Sequence, residues 1–268
     1  MKDKKKLTQL KKFYKSKNPN TSRMSKLFVF QVMLGVLPTV LSTIFVVYIA
    51  QMELPDEYED WSYPLWIGLL FISLMFLAFT GYVAAARKYK VLASGYRGEK
   101  ALEKIARKLR AKNSDYYIFS NLPIRYKNNR SELDLLIVSE GGILTVEVKN
   151  HSGGIVGADN DEFWIHRKFY RGGKITETEM KNPLKQIRRQ REILKNVLRS
   201  KGIDVWIDSV LFFSSNPSLR VKVDCNIDIV SSEEEALSVI ANYECPGKKP
   251  TREQCDEIVR ILKEVSHV

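Results

Sequence analysis

The amino-acid sequence predicts an α/β protein in which two membrane-spanning helices precede a mixed sheet flanked by helices. Two long uncharged apolar runs lie in the first third of the 268 residues, and the remainder is rich in charged side chains. That remainder shows helical and strand-like apolar patterns in the order helix, strands, helix, strand. Elements in this order pack as a mixed sheet with helices on its faces.

The two apolar runs cover residues 27–50 and 63–86, and neither contains a charged side chain. A helix needs about 20 apolar residues to cross the hydrocarbon core of a bilayer, so each run is long enough. The first run exceeds the apolar region of a signal peptide, which is roughly 7–15 residues long. Trp61 and Trp66 flank the start of the second run, as aromatic residues do at membrane interfaces. We therefore expect an uncleaved two-helix anchor over residues 27–90.

Charges on the flanks of the anchor predict its orientation. Residues 1–26 carry ten Lys or Arg and one acid, residues 51–62 carry five acids and no base, and Arg87, Lys88 and Lys90 follow the second run. Because Lys and Arg favour the cytoplasmic side, both termini are expected in the cytoplasm, at the plasma membrane, with the 51–62 loop outside. The basic tail at 1–26 is interpreted as a solvated segment that sets this orientation, as a segment lying along anionic lipid, or as both.

The soluble part is expected to comprise a domain at residues 91–230 and a C-terminal helical extension at 231–268. The predicted helices are 95–112, 183–200, 232–243 and 251–265, and the predicted strands are 115–124, 133–138, 143–148, 154–158, 163–170, 205–214, 219–223 and 227–230. The three cysteines, Cys225, Cys245 and Cys255, show no tight spacing with one another or with His151, His166 and His267. We expect reduced thiols and no structural zinc.

Two acids and a lysine can converge on one side of the hairpin at 133–148. Side chains alternate along a strand, so Glu147 and Lys149 share a face, and Asp134 lies on the preceding strand opposite the apolar Leu133 and Leu135. Paired carboxylates bind Mg²⁺ and leave positions for water and phosphate, and a nearby lysine can orient that water. A solvated Glu–Lys pair on a strand surface is the simpler interpretation of this common spacing.

The length of the hairpin loop tests this convergence. Directly opposed residues of an antiparallel pair project from the same face, so Asp134 reaches the Glu147 side only if the loop has an even number of residues. A two-residue loop at Glu140-Gly141, or a four-residue loop at 139–142, places Asp134 opposite Glu147. A two-residue loop at Gly141-Gly142 places it opposite Lys149, and a three-residue loop places it on the wrong face.

Several motifs resemble the nuclease-related domain family, NERD, within the PD-(D/E)xK nuclease superfamily. They are Gly95-Tyr96-Arg97-Gly98-Glu99, Glu132 to Val138, Gly141 to Asn150, Gly153-Gly154, Trp164, and Asn182-Pro183-Leu184-Lys185-Gln186. They fall in the family's order over roughly residues 92–215. One departure is Asn128-Asn129-Arg130-Ser131, where family members usually carry a Gly-containing turn and Gln or Glu.

The resemblance implies a restriction-endonuclease-like fold with an α-β-β-β-α-β core and a metal-dependent nuclease site. It implies that Asp134 and Glu147 bind Mg²⁺ or Mn²⁺, that Lys149 is catalytic, that Glu99 is a further acid facing the metal, and that Gln186 supports the site. Two of these residues have equal alternatives. Glu99 is otherwise a carboxylate favoured by the start of a helix, and Gln186 is otherwise a solvated side chain. Glu132 is either a further ligand or an exposed acid at a sheet edge.

Together these features predict a membrane-tethered, metal-dependent nuclease that acts on DNA or RNA in the cytoplasm. The basic helix at 183–200 is suited to phosphate contacts beside such a site. One alternative is a non-catalytic module that binds nucleic acid or a protein at the membrane. A second alternative is a membrane scaffold in which the helices at 232–265 bind a partner.

Overall fold

The fold is taken from a computed structural model that describes residues 13–15, 19–51, 62–112, 115–223 and 227–266. Some sequence predictions concern other residues. Residues 52–61 of the predicted acidic loop 51–62, with Trp61, lie outside the described residues, as do the remainder of the basic tail, Cys225 and His267.

The described chain forms helices and strands in an order close to the predicted one. The helices are α1 (Pro19–Gln51), α2 (Ser62–Lys112), α3 (Pro183–Arg199), α4 (Glu233–Ala241) and α5 (Arg252–Ser266). The strands are β1 (Phe13–Lys15), β2 (Tyr117–Tyr126), β3 (Asn129–Ser139), β4 (Gly142–Lys149), β5 (Gly154–Ala158), β6 (Phe163–Phe169), β7 (Ile175–Lys181), β8 (Ile207–Phe213), β9 (Ser218–Lys222) and β10 (Asp228–Val230).

The chain divides into two compact units, and one of them is Asn18–Tyr96, which contains two long apolar helices. Each of its two helices contains a stretch long and apolar enough to cross a membrane, with mean hydropathies of 2.0 and 2.1. Large apolar side chains along both stretches are exposed, including Phe76 at 69%. Within the unit, the rings of Phe45 and Phe71 stack with centroids 5.2 Å apart. The apolar surface therefore faces outward, as in helices that are solvated by lipid.

Helix α2 runs without a break from Ser62 to Lys112, so the prediction of a separate helix beginning at Gly95 is wrong. A glycine inside a helix costs only about 1 kcal/mol, which does not end a helix whose following turns are packed. Gly98 also has a packing role. A Cβ at Gly98 would lie 3.3 Å from the side chain of Val148, so the glycine lets α2 lie close to β4.

The second unit joins Met1–Lys17 to Arg97–Val268 and contains two mixed sheets. The six-stranded sheet has the order β1-β2-β3-β4-β8-β10, with β2, β3 and β4 antiparallel and β8 parallel to β4. A four-stranded sheet has the order β7-β6-β5-β9. The predicted α/β fold and its α-β-β-β-α-β core are confirmed, formed by the end of α2, by β2 to β4, by α3 and by β8.

Two strands were not predicted from the sequence. Strand β7 alternates Thr and Glu with few apolar residues, and most of it is exposed at the sheet edge. Strand β1 lies within the basic tail and pairs in parallel with β2. The ring of Tyr14 stacks on Phe119 at 4.7 Å between centroids, and Lys263 Nζ lies 4.4 Å from the Tyr14 centroid. Residues 13–15 of the tail are therefore part of the sheet, because even a three-residue strand gains ladder hydrogen bonds and one aromatic anchor there.

Helices cover both faces of the six-stranded sheet. Helices α3 and α5 pack on one face, with Leu194 and Ile258 fully buried, and the end of α2 packs with α4 on the other, with Ile105 and Ala236 fully buried. The two C-terminal helices, predicted as an extension, thus place their apolar sides in the core of this unit.

The alternation of side chains shifts by one residue within both β2 and β3. Phe119 and Leu122 pack in the same core cluster although they are three residues apart, and so do Leu133 and Leu136. The shift occurs at Asn121, whose φ is +52°. The expectation that Leu133 and Leu135 share a face is therefore wrong, since Leu135 packs on the opposite side of the sheet. Asp134 lies at this irregularity.

Close packing in the four-stranded sheet depends on a glycine. Trp164 is fully buried, and its Nε1 donates a hydrogen bond of 2.9 Å to the carbonyl oxygen of Ala158. A Cβ at Gly157 would lie 2.3 Å from Trp164 Cδ1, so any side chain there displaces the indole.

We expect Gly157→Ala to lower the free energy of unfolding by about 1–3 kcal/mol, because it overpacks the indole. The matched change Gly95→Ala should raise it by roughly 0.5–1 kcal/mol, because Gly95 lies inside a helix and the added Cβ would meet nothing within 4 Å beyond its chain neighbours and the adjacent helix backbone. Thermal unfolding of the detergent-solubilised chain measures both. Equal effects of the two substitutions would contradict this packing.

Candidate active site

The hairpin of β3 and β4 brings the predicted site residues together. The paired residues run from Ser139 with Gly142 to Leu135 with Val146, which leaves a two-residue loop at Glu140-Gly141. This is one of the even loops that the sequence analysis required. Continued by one more pair, the register sets Asp134 opposite Glu147. The predicted two-residue loop is confirmed, and it is the loop that lets the two carboxylates face the same side.

Glu147 is the most enclosed charged residue of this group, with only 3% of its side chain exposed. Its Oε1 accepts hydrogen bonds from Lys149 Nζ at 2.6 Å and from Gln186 Nε2 at 2.7 Å. Its Oε2 accepts one from Gln190 Nε2 at 2.8 Å. A carboxylate removed from water needs this number of donors, because an unpaired buried charge is very costly.

Lys149, Gln186 and Glu147 form a closed triangle of hydrogen bonds. Besides its bond to Glu147, Lys149 Nζ donates to Gln186 Oε1 at 2.9 Å. The amide of Gln186 therefore accepts from the lysine and donates to the carboxylate, which sets its orientation. Gln186 reaches the site from the exposed side of α3, and Lys149 is 22% exposed. The ammonium group thus lies where the site meets solvent.

The position of α3 is set by its first residues. Asn182 is the N-cap, and its Oδ1 accepts a hydrogen bond of 2.9 Å from Leu184 N. Its Nδ2 donates to the carbonyl oxygens of Asp159 at 2.9 Å and Asp161 at 2.8 Å, which ties the cap to the loop after β5. Pro183 occupies the first helical position, where its missing N–H is no loss. The Asn182-Pro183 pair thereby sets the register that turns Gln186 and Gln190 toward Glu147.

Asp134 is half-buried, and its Oδ2 accepts a hydrogen bond of 2.8 Å from Val148 N. Burial, and then the negative charge of Glu147, raise the pKa of this carboxyl well above its ordinary value. The Val148 N–H and the charge of Lys149 act in the opposite direction and do not offset it. Two carboxylates are therefore held close enough to repel each other.

Two further acids lie within electrostatic range of this pair. Burial and then the charges of Glu99 and Glu147 raise the pKa of Glu132, and Glu99 also contributes to the raised pKa of Asp134. Glu99 follows Gly98 on α2, at the close approach of that helix to β4. The structure thus places Glu99 and Glu132 near the site, and whether either one binds metal stays a prediction.

The carboxylate oxygens at this site suit a metal ion that binds few protein ligands. In the described part of the chain, no three Asp, Glu, His or Cys side chains are grouped as a metal cluster. Mg²⁺ is commonly held by one or two carboxylates and completes its octahedron with waters and substrate phosphate. Asp134 and Glu147 fit that requirement, because their mutual repulsion is relieved by a positive charge between them.

Two histidines lie just beyond Lys149. The rings of His151 and His166 meet edge to face with centroids 4.7 Å apart, and His166 Nε2 lies 2.7 Å from the carbonyl oxygen of Ser152. Burial, followed by the charges of His166, Lys149 and Lys168, lowers the pKa of His151 to about 4. The His151 imidazole is therefore neutral at pH 7 and adds no positive charge next to Lys149.

A scan against protein-family models matches residues 94–214 to the nuclease-related domain. This segment is therefore similar to the nuclease-related domain family. No curated protein and no solved structure matches the chain in the same comparisons. The matched segment of this nuclease-related domain includes all five predicted site residues, Glu99, Asp134, Glu147, Lys149 and Gln186.

One residue of the site in the nuclease-related domain was not predicted from the sequence. Gln190 is buried, and its Nε2 donates to Glu147 Oε2 and to the backbone oxygen of Glu132, both at 2.8 Å. It therefore connects α3 to both strands of the hairpin. The available signal was its position four residues after Gln186, which puts both amides on one side of the helix.

The raised pKa of Asp134 gives a testable pH dependence. A carboxyl whose pKa is higher in the folded than in the unfolded chain binds more protons when folded, so stability falls as pH rises. The fall begins near the unfolded pKa of about 3.9 and ends above the raised folded pKa. Asp134→Asn keeps an oxygen acceptor for Val148 N and does not titrate. Without divalent metal, we expect the unchanged chain to lose more stability than Asp134→Asn between about pH 4 and neutral pH.

Thermal unfolding midpoints at a series of pH values, with a chelator present, measure this difference. Asp228→Asn, on the exposed edge strand β10, is the matched control and should follow the unchanged chain. Parallel curves for Asp134→Asn and the unchanged chain would show that Asp134 is not held in a raised-pKa environment.

Proposed function

We propose that the protein is a membrane-tethered nuclease that hydrolyses phosphodiester bonds of DNA or RNA with Mg²⁺ or Mn²⁺. The observation that carries the proposal is the buried Glu147 carboxylate beside Asp134, with Lys149 at the boundary to solvent. The match of residues 94–214 to the nuclease-related domain supports the same reaction class.

In this proposal Asp134 and Glu147 hold the metal ion. When bound, such an ion polarises a phosphoryl oxygen and favours formation of hydroxide from a bound water. Glu147 stays fixed in orientation because Gln190 and Gln186 continue to donate to it from α3. Asp134 is fixed from the opposite strand by Val148 N. The two carboxylates are thus held by rigid elements, as a reactive geometry requires.

Lys149 is the proposed catalytic residue. Its ammonium group lies 2.6 Å from Glu147 Oε1, so it is close to any phosphate oxygen that approaches the carboxylates. From that position it can orient the attacking water or stabilise the negative charge that develops on the phosphate. Gln186 holds the ammonium group in place through its Oε1 and acts as a positioning residue.

Helix α3 supplies a basic surface next to the site. Lys185, Arg189 and Arg199 are exposed along it, whereas Arg188 is paired with the buried Asp159. Cations spread along one helix can contact successive phosphates, and such contacts supply most of the affinity for nucleic acid that does not depend on sequence. Residues 91–268 are themselves mildly basic, although the tail at 1–26 supplies most of the net charge of +12, and this agrees with a polyanionic substrate.

The same side of the membrane is proposed for the N-terminal strand and the nuclease-related domain. Strand β1 precedes the two apolar helices, and it is hydrogen-bonded to β2, which follows them. If both helices cross the membrane, the chain returns to the side on which it started, as this pairing requires. The excess of Lys and Arg before the first helix favours the cytoplasm for that side.

The first expected outcome concerns cleavage. The detergent-solubilised chain should cleave DNA or RNA with Mg²⁺ or Mn²⁺, and Lys149→Ala should lower the rate by roughly 100-fold or more while leaving metal binding largely intact. Asp134→Ala and Glu147→Ala should abolish cleavage and weaken metal binding as well, because they remove ligands. Release of labelled fragments measures cleavage, and Mn²⁺ titration measures binding.

Glu179→Ala and Lys181→Ala, two exposed changes on β7, are the matched controls and should keep full activity. Undiminished cleavage by Lys149→Ala would show that the chemistry lies elsewhere. An unchanged chain that binds nucleic acid but cleaves neither DNA nor RNA with either metal would favour the non-catalytic binding module.

The second expected outcome concerns topology. A cysteine placed at Ser62 should react with a membrane-impermeant thiol reagent on intact cells, and a cysteine placed at Ser22 should react only after the membrane is permeabilised. Labelling in the reverse pattern would put the nuclease-related domain outside the cell and remove the proposed cytoplasmic role.

A further inference from the structure

A basic cavity of about 420 Å³ lies at the far end of α3 from Glu147. It is lined by Arg191, Glu192, Lys195, Arg199, Asp204, Val205, Trp206, Ile207 and Lys248. The residues come from the second half of α3, from the segment that leads into β8 with its first residue, and from the loop before α5. No residue of the candidate active site lines this cavity.

Trp206 provides a fixed aromatic surface in the cavity. Trp206 is 45% exposed, whereas most other large apolar residues of this unit are buried. Its Nε1 donates a hydrogen bond of 2.8 Å to Asp208 Oδ1, and its backbone N donates to the carbonyl oxygen of Lys248 at 3.3 Å. Gly247 packs against the indole, where a Cβ would lie 2.7 Å from Cε3. The ring is therefore held in one orientation while part of it stays open to the cavity.

The cavity carries an excess of positive charge. Four of its lining residues are basic and two are acidic, and one acid, Asp204, is paired with Arg199 at 2.9 Å. Within the described residues, no carboxylate lies within ion-pair distance of Arg191, Lys195 or Lys248. The neighbouring Arg199, Lys195 and Lys248 also lower the pKa of Asp204. Three cations beside an exposed indole are suited to a phosphate that carries an aromatic base.

Helix α3 and strand β8 both run from the active site to the cavity. On β8, Leu211 is paired with Glu147, and Ile207 is paired with Ile143 of the same neighbouring strand. Trp206 precedes Leu211 by five residues, so it lies roughly 17 Å along the strand direction from the level of Glu147. Helix α3 spans the same interval, with Gln186 and Gln190 at the site and Lys195 and Arg199 at the cavity. A single strand of a few nucleotides that lies along this helix would reach from the active site to the cavity.

We propose that the Trp206 cavity binds one nucleotide of a single-stranded nucleic acid, with its base stacked on the indole and its phosphate held by Lys195 and Lys248. The proposal rests on the proposed nuclease function and adds a substrate class to it. A base in a duplex is stacked between its neighbours and cannot lie on the indole, so the cavity favours a single strand over a duplex.

Fluorescence anisotropy with a labelled oligonucleotide of about 12 nucleotides tests the proposal, since single-strand binding sites fall in this size range. The full chain is used in detergent with a chelator, so that no cleavage occurs. Trp206→Ala should weaken single-strand binding by roughly 5- to 100-fold, because base stacking is lost. Trp206→Phe should restore most of the affinity. The annealed duplex of the same sequence should bind equally to the Trp206→Ala and unchanged chains.

Salt dependence separates the two kinds of contact. Lys195→Ala and Lys248→Ala should each reduce the slope of log affinity against log salt by about 0.7, the value for one phosphate contact to a single strand. Trp206→Ala should leave the slope unchanged, because stacking releases no counterion. Tyr170→Ala removes an aromatic residue of similar exposure, 51%, on the turn after β6, and it should bind like the unchanged chain.

Single-strand affinity that is the same for Trp206→Ala and Tyr170→Ala would overturn the proposal, as would unchanged salt slopes for both lysine variants. If Trp206→Ala does not fold, Trp206→Phe and the lysine variants still decide the question. Cleavage by the unchanged chain together with Trp206-independent binding would contradict the nucleotide site but not the nuclease function. Trp206-dependent binding without any cleavage would support the nucleotide site and contradict the nuclease function.

Discussion

The buried carboxylate of Glu147 is the constraint on which the site and much of the surrounding fold depend. A charge removed from water must be matched by donors, and removing one partner of a buried pair typically costs about 3–5 kcal/mol. Three side chains supply the donors here, two of them from α3 and one from β4 itself. Helix α3 must therefore lie against β4 in one register, because a rotation of the helix would remove the two donors that Gln186 and Gln190 supply to the carboxylate.

Several features away from the carboxylate support this arrangement. The Asn182 cap fixes where α3 begins, and through its Nδ2 it ties the helix to the four-stranded sheet. Gln190 bonds to both β3 and β4, so the hairpin and the helix are held as one body. The backbone irregularity at Asn121 shifts the alternation of side chains next to Asp134. Rigid support of this kind is what a reactive geometry needs, and it is expected to raise stability as well as precision.

The sequence was informative where one local pattern decided the outcome. The alternating strands around Glu140-Gly141 predicted the hairpin and left only a few possible loops, of which the structure has the one at Glu140-Gly141. It was uninformative where an outcome depended on distant partners. Strand β1 forms where the ring of Tyr14 stacks on Phe119. Helix α2 continues through Gly95 and Gly98 because its following turns pack on the sheet. The contacts of Gln190 join residues more than 40 positions apart, so its spacing from Gln186 indicates the side of the helix but not the partners.

The central claim is that Asp134 and Glu147 together hold one divalent cation. An anomalous difference map from crystals of the chain grown with Mn²⁺ tests it most directly. We expect one peak in contact with an oxygen of each carboxylate, at about 2.1 Å, with Lys149 beside it. A map with no peak at these carboxylates, or with Mn²⁺ bound only at other residues, would contradict the account.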